Sequence, residues 1–180
     1  MKQDVPYVRP GLKMIAIAFV MVCLLTPLAT SSAHASATPA MAEQHCEILL
    51  AKLLPGETTS RVLSQHCAAR EQDLAPLSGT LIMTWYNDAN YLGSSTSVRV
   101  SDACDSLGWG ISDVGTWTKI SSFKTWNLCN TVAAFTNTNY GGTECGFWSS
   151  PGSFSNPALQ VSYVGSACND KMRSFLLREE

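Results

Sequence analysis

The chain has 180 residues, with 12 Lys or Arg, 14 Asp or Glu and a hydrophobic content of 46%. This length accommodates one domain with an extension, or two small domains. The net charge of −2 and the lack of any basic run exclude the electrostatic footprint of a nucleic-acid-binding protein. We therefore expect no nucleic-acid partner.

The first 35 residues have the pattern of an export signal. Three basic residues precede an apolar run over residues 14–28, and Ala33-His34-Ala35 follows as a cleavage site. The run is shorter than the about 20 apolar residues that a membrane span needs. We predict a signal peptide at residues 1–35 and a secreted protein that is not attached to a membrane. Loss of three basic residues and one acidic residue brings the net charge to −4.

Six cysteines remain after this segment, and an even number in an exported protein predicts three disulfides. The sequence alone leaves many pairings open, including one in which one or two cysteines stay free. We predict that consecutive cysteines pair, because each pair falls within one apparent structural unit. The predicted pairs are Cys46 with Cys67, Cys104 with Cys129, and Cys145 with Cys168.

Residues 36–79 predict a helical hairpin followed by a linker. From Cys46 to Leu54 the apolar residues recur at helical spacing, Pro55-Gly56 stops the pattern, and capping residues precede a second segment. A disulfide between Cys46 and the second segment would staple this hairpin. Removal of the whole segment as a propeptide is an alternative, with a new start near residue 79.

A zinc site is the competing hypothesis for the same hairpin. His45, Cys46, His66 and Cys67 together supply two imidazoles and two thiols. Adjacent residues on a helix point in different directions, and zinc ligands are usually spaced by two to four residues. We therefore favour the disulfide and predict no metal here.

From residue 80 onward, short β-type runs alternate with turn residues, which predicts an all-β sandwich. The predicted strands cover residues 81–86, 96–100, 119–128, 131–135, 144–148, 158–163 and 172–177. The intervening residues 105–116 and 149–157 are predicted as loops.

A hairpin motif occurs twice in this region: an aromatic residue, four further residues, a second aromatic, any residue and glycine. Its members are Tyr86, Tyr91 and Gly93 in the first copy, and Phe135, Tyr140 and Gly142 in the second. The second aromatic would fold back over the turn, and the glycine permits a backbone conformation that a Cβ would oppose. Each copy is followed by a Lys-apolar-x-Ser-Phe run, so the unit spans residues 86–123 and again 135–175.

This repeated unit resembles the βγ-crystallin superfamily, whose domain is a wedge-shaped sandwich of two Greek-key motifs. The resemblance covers roughly residues 80–178 and does not include the predicted helical hairpin. Export signal, disulfides and compact size are similar to the bacterial metalloproteinase-inhibitor branch. We expect a βγ-crystallin-like all-β sandwich at residues 80–180, preceded by a short disulfide-stapled helical hairpin at residues 36–79.

Members of this superfamily often bind calcium through an [Asn/Asp]-[Asn/Asp]-x-x-[Ser/Thr]-Ser segment, and both copies here are degenerate. The residues that remain are Ser121 and Ser122 in the first copy, and Asn169, Asp170 and Ser174 in the second. The first copy lacks the Asn/Asp pair, and the second has Arg173 in place of the hydroxyl ligand. The resemblance implies weak calcium binding or none, with hairpin closure by side-chain hydrogen bonds as the remaining role.

Residues 80–180 contain no histidine, which excludes Ser-His-Asp and Cys-His catalysis and a His-ligated metal within them. No sequence motif supports a glycosidase with paired catalytic carboxylates. We expect no enzymatic activity and no cofactor apart from weakly bound calcium.

We predict a secreted, monomeric binding protein, most simply a peptidase inhibitor whose partner is a secreted proteinase. Residues 101–116 and 149–157 are the candidate contact loops, with Phe154 near the tip of the second. Trp109 and Phe154 could instead pack beneath their own loops. The alternatives are an extracellular structural or stress-related module, and a killer-toxin-like antimicrobial protein.

Overall fold

A computed structural model describes residues 43–115, 119–149 and 156–180. These residues form ten β-strands in two sheets, which confirms the all-β fold class. The predicted signal peptide at residues 1–35 lies outside the described residues. The strands are β1 (His45–Leu50), β2 (Val62–Ala68), β3 (Thr80–Asp88), β4 (Leu92–Val100), β5 (Trp109–Ile111), β6 (Ser122–Thr125), β7 (Thr131–Phe135), β8 (Glu144–Trp148), β9 (Leu159–Val161) and β10 (Ser174–Arg178).

Most of the predicted strands beyond residue 80 are present. The bounds of β7 and β8 agree with the prediction, and β3, β4, β6, β9 and β10 overlap theirs. Strand β7 shows why: Val132 and Ala134 are buried while the residues between them are half-buried, which is the period-two pattern of a strand on a core.

The two repeated motifs exchange one strand each. The six-stranded sheet has the order β2-β1-β4-β3-β6-β9, and the four-stranded sheet has the order β5-β10-β7-β8. The first motif (β3 to β6) thus contributes β5 to the sheet of the second motif (β7 to β10), which contributes β9 in return. The predicted sandwich of two motifs is confirmed, and each sheet contains strands from both motifs.

Aromatic side chains from the two sheets meet in the core. Trp85 of β3 stacks on Phe175 of β10 with ring centroids 5.8 Å apart. Phe123 of β6 meets Phe147 of β8 edge to face at 5.0 Å. Burial of each such side chain stabilises the fold by about 1.5–3 kcal/mol, so these contacts also fix which strands face each other.

The predicted helical hairpin is wrong, because both segments are strands. Strand β1 runs parallel to β4 and antiparallel to β2, with Cys46 directly opposite Cys67. A short apolar run fits a helix or a strand by periodicity, and here the backbone of β4 supplies the hydrogen-bond partners that decide for a strand. Residues 45–68 therefore belong to the same sheet as the first motif.

The cysteines pair consecutively, as predicted. Disulfides join Cys46 to Cys67, Cys104 to Cys129, and Cys145 to Cys168. The first of these bonds joins the two thiols that the zinc alternative needs as ligands.

Strand β5 lies within the predicted loop at residues 105–116. The Trp-Gly-Ile sequence reads as a turn because glycine interrupts it. The segment between β1 and β2 explains the glycine: Ser60 N donates to the Gly110 carbonyl oxygen at 2.7 Å, and a Cβ on Gly110 would collide with the carbonyl oxygen of Thr58. The Tyr140 hydroxyl donates to that same oxygen at 2.7 Å.

Gly110→Ala tests this close approach. We expect a loss of about 1–3 kcal/mol in the free energy of unfolding, because the added methyl group must push the crossing segment away from β5. Urea denaturation measures the change. Gly141→Ala is the matched control, since an added Cβ there finds its nearest neighbour at 3.5 Å, and should cost under about 0.5 kcal/mol. Equal stability of the two variants would contradict the docking of this segment.

Candidate functional site

The two aromatic-glycine motifs form corners of the same construction. Tyr86 and Tyr91 pack edge to face with ring centroids 5.7 Å apart, and Phe135 and Tyr140 do so at 6.0 Å. The residue at the second aromatic is left-handed in both corners, with φ of 65° at Tyr91 and 58° at Tyr140. The glycines follow with φ of 75° and 82°, a conformation that a side chain would oppose.

A buried serine hydroxyl closes each corner. Ser122 Oγ donates to the Asp88 carbonyl oxygen at 2.6 Å and accepts from Tyr91 N at 3.0 Å. Ser174 Oγ donates to the Asn137 carbonyl oxygen at 2.7 Å and accepts from Tyr140 N at 3.0 Å. The predicted role in hairpin closure therefore belongs to these two serines.

Each corner is completed by a segment of the other motif. Asn90 N in the first corner donates to the carbonyl oxygen of Ser162, which follows β9, at 2.8 Å. Asn139 N in the second corner donates to the carbonyl oxygen of Ser112, which follows β5, at 2.8 Å. The strand exchange thus carries residues of one motif's loop to the other motif's corner.

At the first corner, a residue that the first degenerate calcium motif retains lies beside one that the second retains. Ser121 Oγ, from the first copy, donates to the Asn87 carbonyl oxygen at 2.6 Å and lies 3.2 Å from Asp170 Oδ1 of the second copy. Asp170 N donates to the Ile120 carbonyl oxygen at 3.1 Å, which fixes the position of the carboxylate. The side-chain oxygen of Asn169 is buried without a hydrogen-bond partner.

The oxygens of this cluster are of the type and spacing that could hold a calcium ion. Calcium takes six to eight oxygens at about 2.3–2.6 Å, so neighbouring ligand oxygens lie roughly 3 Å apart, close to the separations around Ser121 Oγ. Carbonyl, hydroxyl and carboxylate oxygens are all of the hard type that calcium prefers. Asp170 is the one carboxylate among them, and a low ligand charge gives low affinity. Across the described ranges, no group of three His, Cys, Asp or Glu side chains is placed to share a metal.

The second corner contains a positively charged side chain where the first has a serine. Arg173 occupies the position equivalent to Ser121, and its Nη2 donates to Asp113 Oδ1 at 3.0 Å. The backbone N–H of Gly115 and, after it, the Arg173 guanidinium hold the pKa of the Asp113 carboxyl below its usual value. The fixed positive charge opposes a metal ion at this corner. Trp117 and Thr118, which stand where the first copy lacks its Asn/Asp pair, lie outside the described residues.

The aromatic residues of the predicted contact loops differ in how far they are exposed. Trp109 belongs to β5 and is buried in the hydrophobic core, so it is not a contact residue. Phe154 and its neighbours in residues 150–155 lie outside the described residues. Trp148, which the sequence reading placed in a strand without further role, is 73% exposed at the end of β8. Its exposure follows from the alternation of β8, in which Cys145 and Phe147 face the core and Trp148 lies on the outer face.

The three disulfides are typical of proteins from an oxidising compartment. Within the part of the chain that is described, no helix is long and apolar enough to cross a membrane.

No protein-family model and no curated protein matches the chain. Among solved structures, a βγ-crystallin domain from Clostridium beijerinckii is 24% identical, with a TM-score of 0.38 over 54% of this chain and 97% of that one. A βγ-crystallin domain from Flavobacterium johnsoniae is 21% identical, with a TM-score of 0.35 over 55% and 96%. A nickel complex of a clostrillin double mutant is 23% identical, with a TM-score of 0.38 over 56% and 100%. The first two are domains of the superfamily that the repeated motifs resemble.

Ser122→Ala and Ser174→Ala test the corner locks. Each substitution leaves a backbone N–H and a carbonyl without their partner, so each should lower the free energy of unfolding by about 1–3 kcal/mol. Thermal and urea denaturation give the values. Ser101→Ala is the control, because this exposed serine donates only to the neighbouring Asp102 side chain and should cost under about 0.5 kcal/mol. Loss in one corner variant without loss in the other would contradict the equivalence of the corners.

Proposed function

We propose that the chain is a secreted, non-enzymatic, βγ-crystallin-like structural module that binds one calcium ion weakly at its first corner. The observation that carries this proposal is the 3.2 Å approach of Ser121 Oγ and Asp170 Oδ1, which come from different motifs. At the second corner the equivalent place is taken by the Arg173–Asp113 ion pair. One of two corners is therefore suited to a cation.

Several features support the other parts of the proposal. The two corners share aromatic packing, left-handed residues and a serine lock, which is the construction that the superfamily resemblance implies. The three disulfides favour an extracellular setting. The lack of histidine in residues 80–180 supports a role other than catalysis.

Calcium at this corner would act as a brace between the motifs. Ser121 precedes β6 of the first motif, and Asp170 precedes β10 of the second, so a shared ion would resist their separation. A ligand that binds only the folded state adds stability in proportion to RT ln(1 + [L]/Kd). Even a weak site therefore stabilises the module where calcium is abundant, as in extracellular fluids.

Calorimetric titration with calcium tests the site. We expect one site with a Kd of about 10⁻⁴ to 10⁻³ M, the range of low-charge extracellular modules. Asp170→Asn and Ser121→Ala should each weaken binding by roughly tenfold or more, since each removes a ligand oxygen or its charge. Asp102→Asn, which changes an exposed carboxylate elsewhere, should leave binding unchanged. No calcium-dependent rise in melting temperature at 10 mM would contradict the proposal, a concentration about tenfold above the upper Kd.

Peptidase inhibition is the second candidate, and the exposed Trp148 favours it. Exposed aromatic side chains are common anchors in protein interfaces, and this one precedes the predicted contact loop at residues 149–157. The Cys145–Cys168 disulfide holds the strand that presents it. A preorganised strand loses little entropy on binding, which favours an inhibitory contact. No feature of the described residues favours the toxin hypothesis, which stays a prediction.

A panel of thermolysin-like and serine proteinases tests this second candidate. Micromolar wild-type protein should inhibit at least one of them, and Trp148→Ala should weaken that inhibition by about tenfold to a hundredfold. Leu92→Ala, a substitution of an exposed apolar residue on a different sheet, is the control. Absence of inhibition across the panel would set this candidate aside and leave the calcium-braced module untouched.

A further inference from the structure

A groove crosses the ends of four neighbouring strands in the larger sheet. Its volume is about 520 Å³, within the range of small-molecule sites. Its lining comes from the end of β1 and the two residues after it, the start of β2, the end of β4, and the two residues before β3. Strands β2, β1, β4 and β3 are adjacent in this order, so the groove spans three strand spacings, roughly 14 Å. That length suits one extended alkyl chain.

Half of the residues that line the groove are apolar, namely Leu49, Leu50, Ala51, Leu63 and Val100. Leu50 and Val100 belong to the buried core, so core packing fixes the inner side of the groove. Leu63 stays 57% exposed at the outer side. Contact with an alkyl chain would remove this leucine surface from water, which is favourable in proportion to the apolar area buried.

The charged residues that line the groove, Lys52 and Arg61, are both basic. Ala51 N donates to the Arg61 carbonyl oxygen at 2.8 Å, which continues the β1–β2 ladder and places both basic residues at one end of it. The Lys52 ammonium lies 3.2 Å from Asp105 Oδ2 in a half-exposed ion pair. Across the described ranges, the Arg61 guanidinium takes part in no ion pair. An anion can therefore pair with Arg61 without displacing another carboxylate.

We propose that this groove binds a single-chain amphiphile with a carboxylate head group, such as a medium-chain fatty acid. The Arg61 guanidinium would donate to both carboxylate oxygens, because its planar fork matches that group, and Lys52 adds a second positive charge. The alkyl chain would lie over Leu49 and Leu63. None of the oxygen donors of the first corner lines the groove, so this site is separate from the proposed calcium site.

The direction of the groove favours an alkyl chain over a peptide. Peptides that bind to sheets usually lie along an open strand edge, where a row of backbone groups supplies their hydrogen bonds. This groove runs across the strands instead, and its apolar side chains come from three of them. A chain that needs no hydrogen bonds along its length fits such a surface.

NMR titration of the full chain with octanoate and octan-1-ol tests the proposal. The two probes share an eight-carbon chain, and only octanoate is charged. Calcium-free buffer keeps the result independent of the calcium site. Octanoate should shift the amide resonances of Ala51 and Leu63 and bind roughly fivefold tighter than octan-1-ol at low salt. The preference should shrink as salt is added, because exposed charges are screened.

Two matched pairs of variants, all at exposed positions, locate the site. Arg61→Gln should remove the preference for octanoate and leave octan-1-ol binding unchanged. Arg70→Gln, which changes an exposed arginine that does not line the groove, should alter neither. Leu63→Ser should weaken both probes about three- to tenfold, because it removes an apolar wall. Val62→Ser changes a residue that is 58% exposed and lines a different cavity, so it should have no such effect.

Several results would overturn the proposal. Equal affinity for the two probes would show that the charge plays no part, and equal weakening by Leu63→Ser and Val62→Ser would place the probe elsewhere. Absence of octanoate binding at millimolar concentration would contradict the site itself. Binding to phosphatidylglycerol vesicles without binding of free octanoate would assign the groove to an anionic membrane surface instead of a fatty acid.

Discussion

The structure depends on two buried hydroxyl groups. The hydroxyl of Ser122 or Ser174 accepts from the backbone N–H of the second aromatic residue of its corner and donates to a backbone carbonyl across the turn. The backbone of that aromatic residue is left-handed in both corners. These hydrogen bonds offset part of the cost of the turn, since left-handed backbone is unfavourable for residues other than glycine. The two locks therefore help to set the directions in which β3 and β4, and β7 and β8, leave their corners.

Strand exchange turns two incomplete motifs into one complete arrangement. Because β5 and β9 cross to the opposite sheets, the loop after each strand lies against the other motif's corner. Ser121 thus meets Asp170, whereas Arg173 meets Asp113. Asp170 of the second copy therefore lies at the first corner, whereas Arg173 of the same copy stays at the second. The first corner thus combines retained motif residues from both copies, and the second is closed by an ion pair.

Sequence patterns predicted the elements whose structure depends on nearby residues. They failed for elements whose conformation depends on a partner far away in the sequence. Strands β7 and β8, the aromatic-glycine corners and the consecutive disulfides all follow from neighbouring residues. The short apolar run of β1 fits both the helical and the strand period, and only its pairing with the edge of β4 distinguishes them. Gly110 predicts a loop in place of β5, because the close approach of Thr58 that requires this glycine comes from a distant part of the sequence. The meeting of Ser121 and Asp170 is a contact over 49 residues, so no spacing rule could find it.

Strands β1 and β2 extend the larger sheet and bury Ile48 and Leu50 in the shared core. They are joined by the Cys46–Cys67 disulfide and bound along the edge of β4, and the segment between them covers the edge of β5 through Ser60. A cavity of about 230 Å³ is lined by Ile48 and Val62 of these strands and by Trp85, Ile111 and Val114. The first corner uses none of their residues. Loss of residues 36–79 by processing would therefore remove the cavity and uncover two strand edges, while the corner built by Ser121 and Asp170 would keep all of its oxygens.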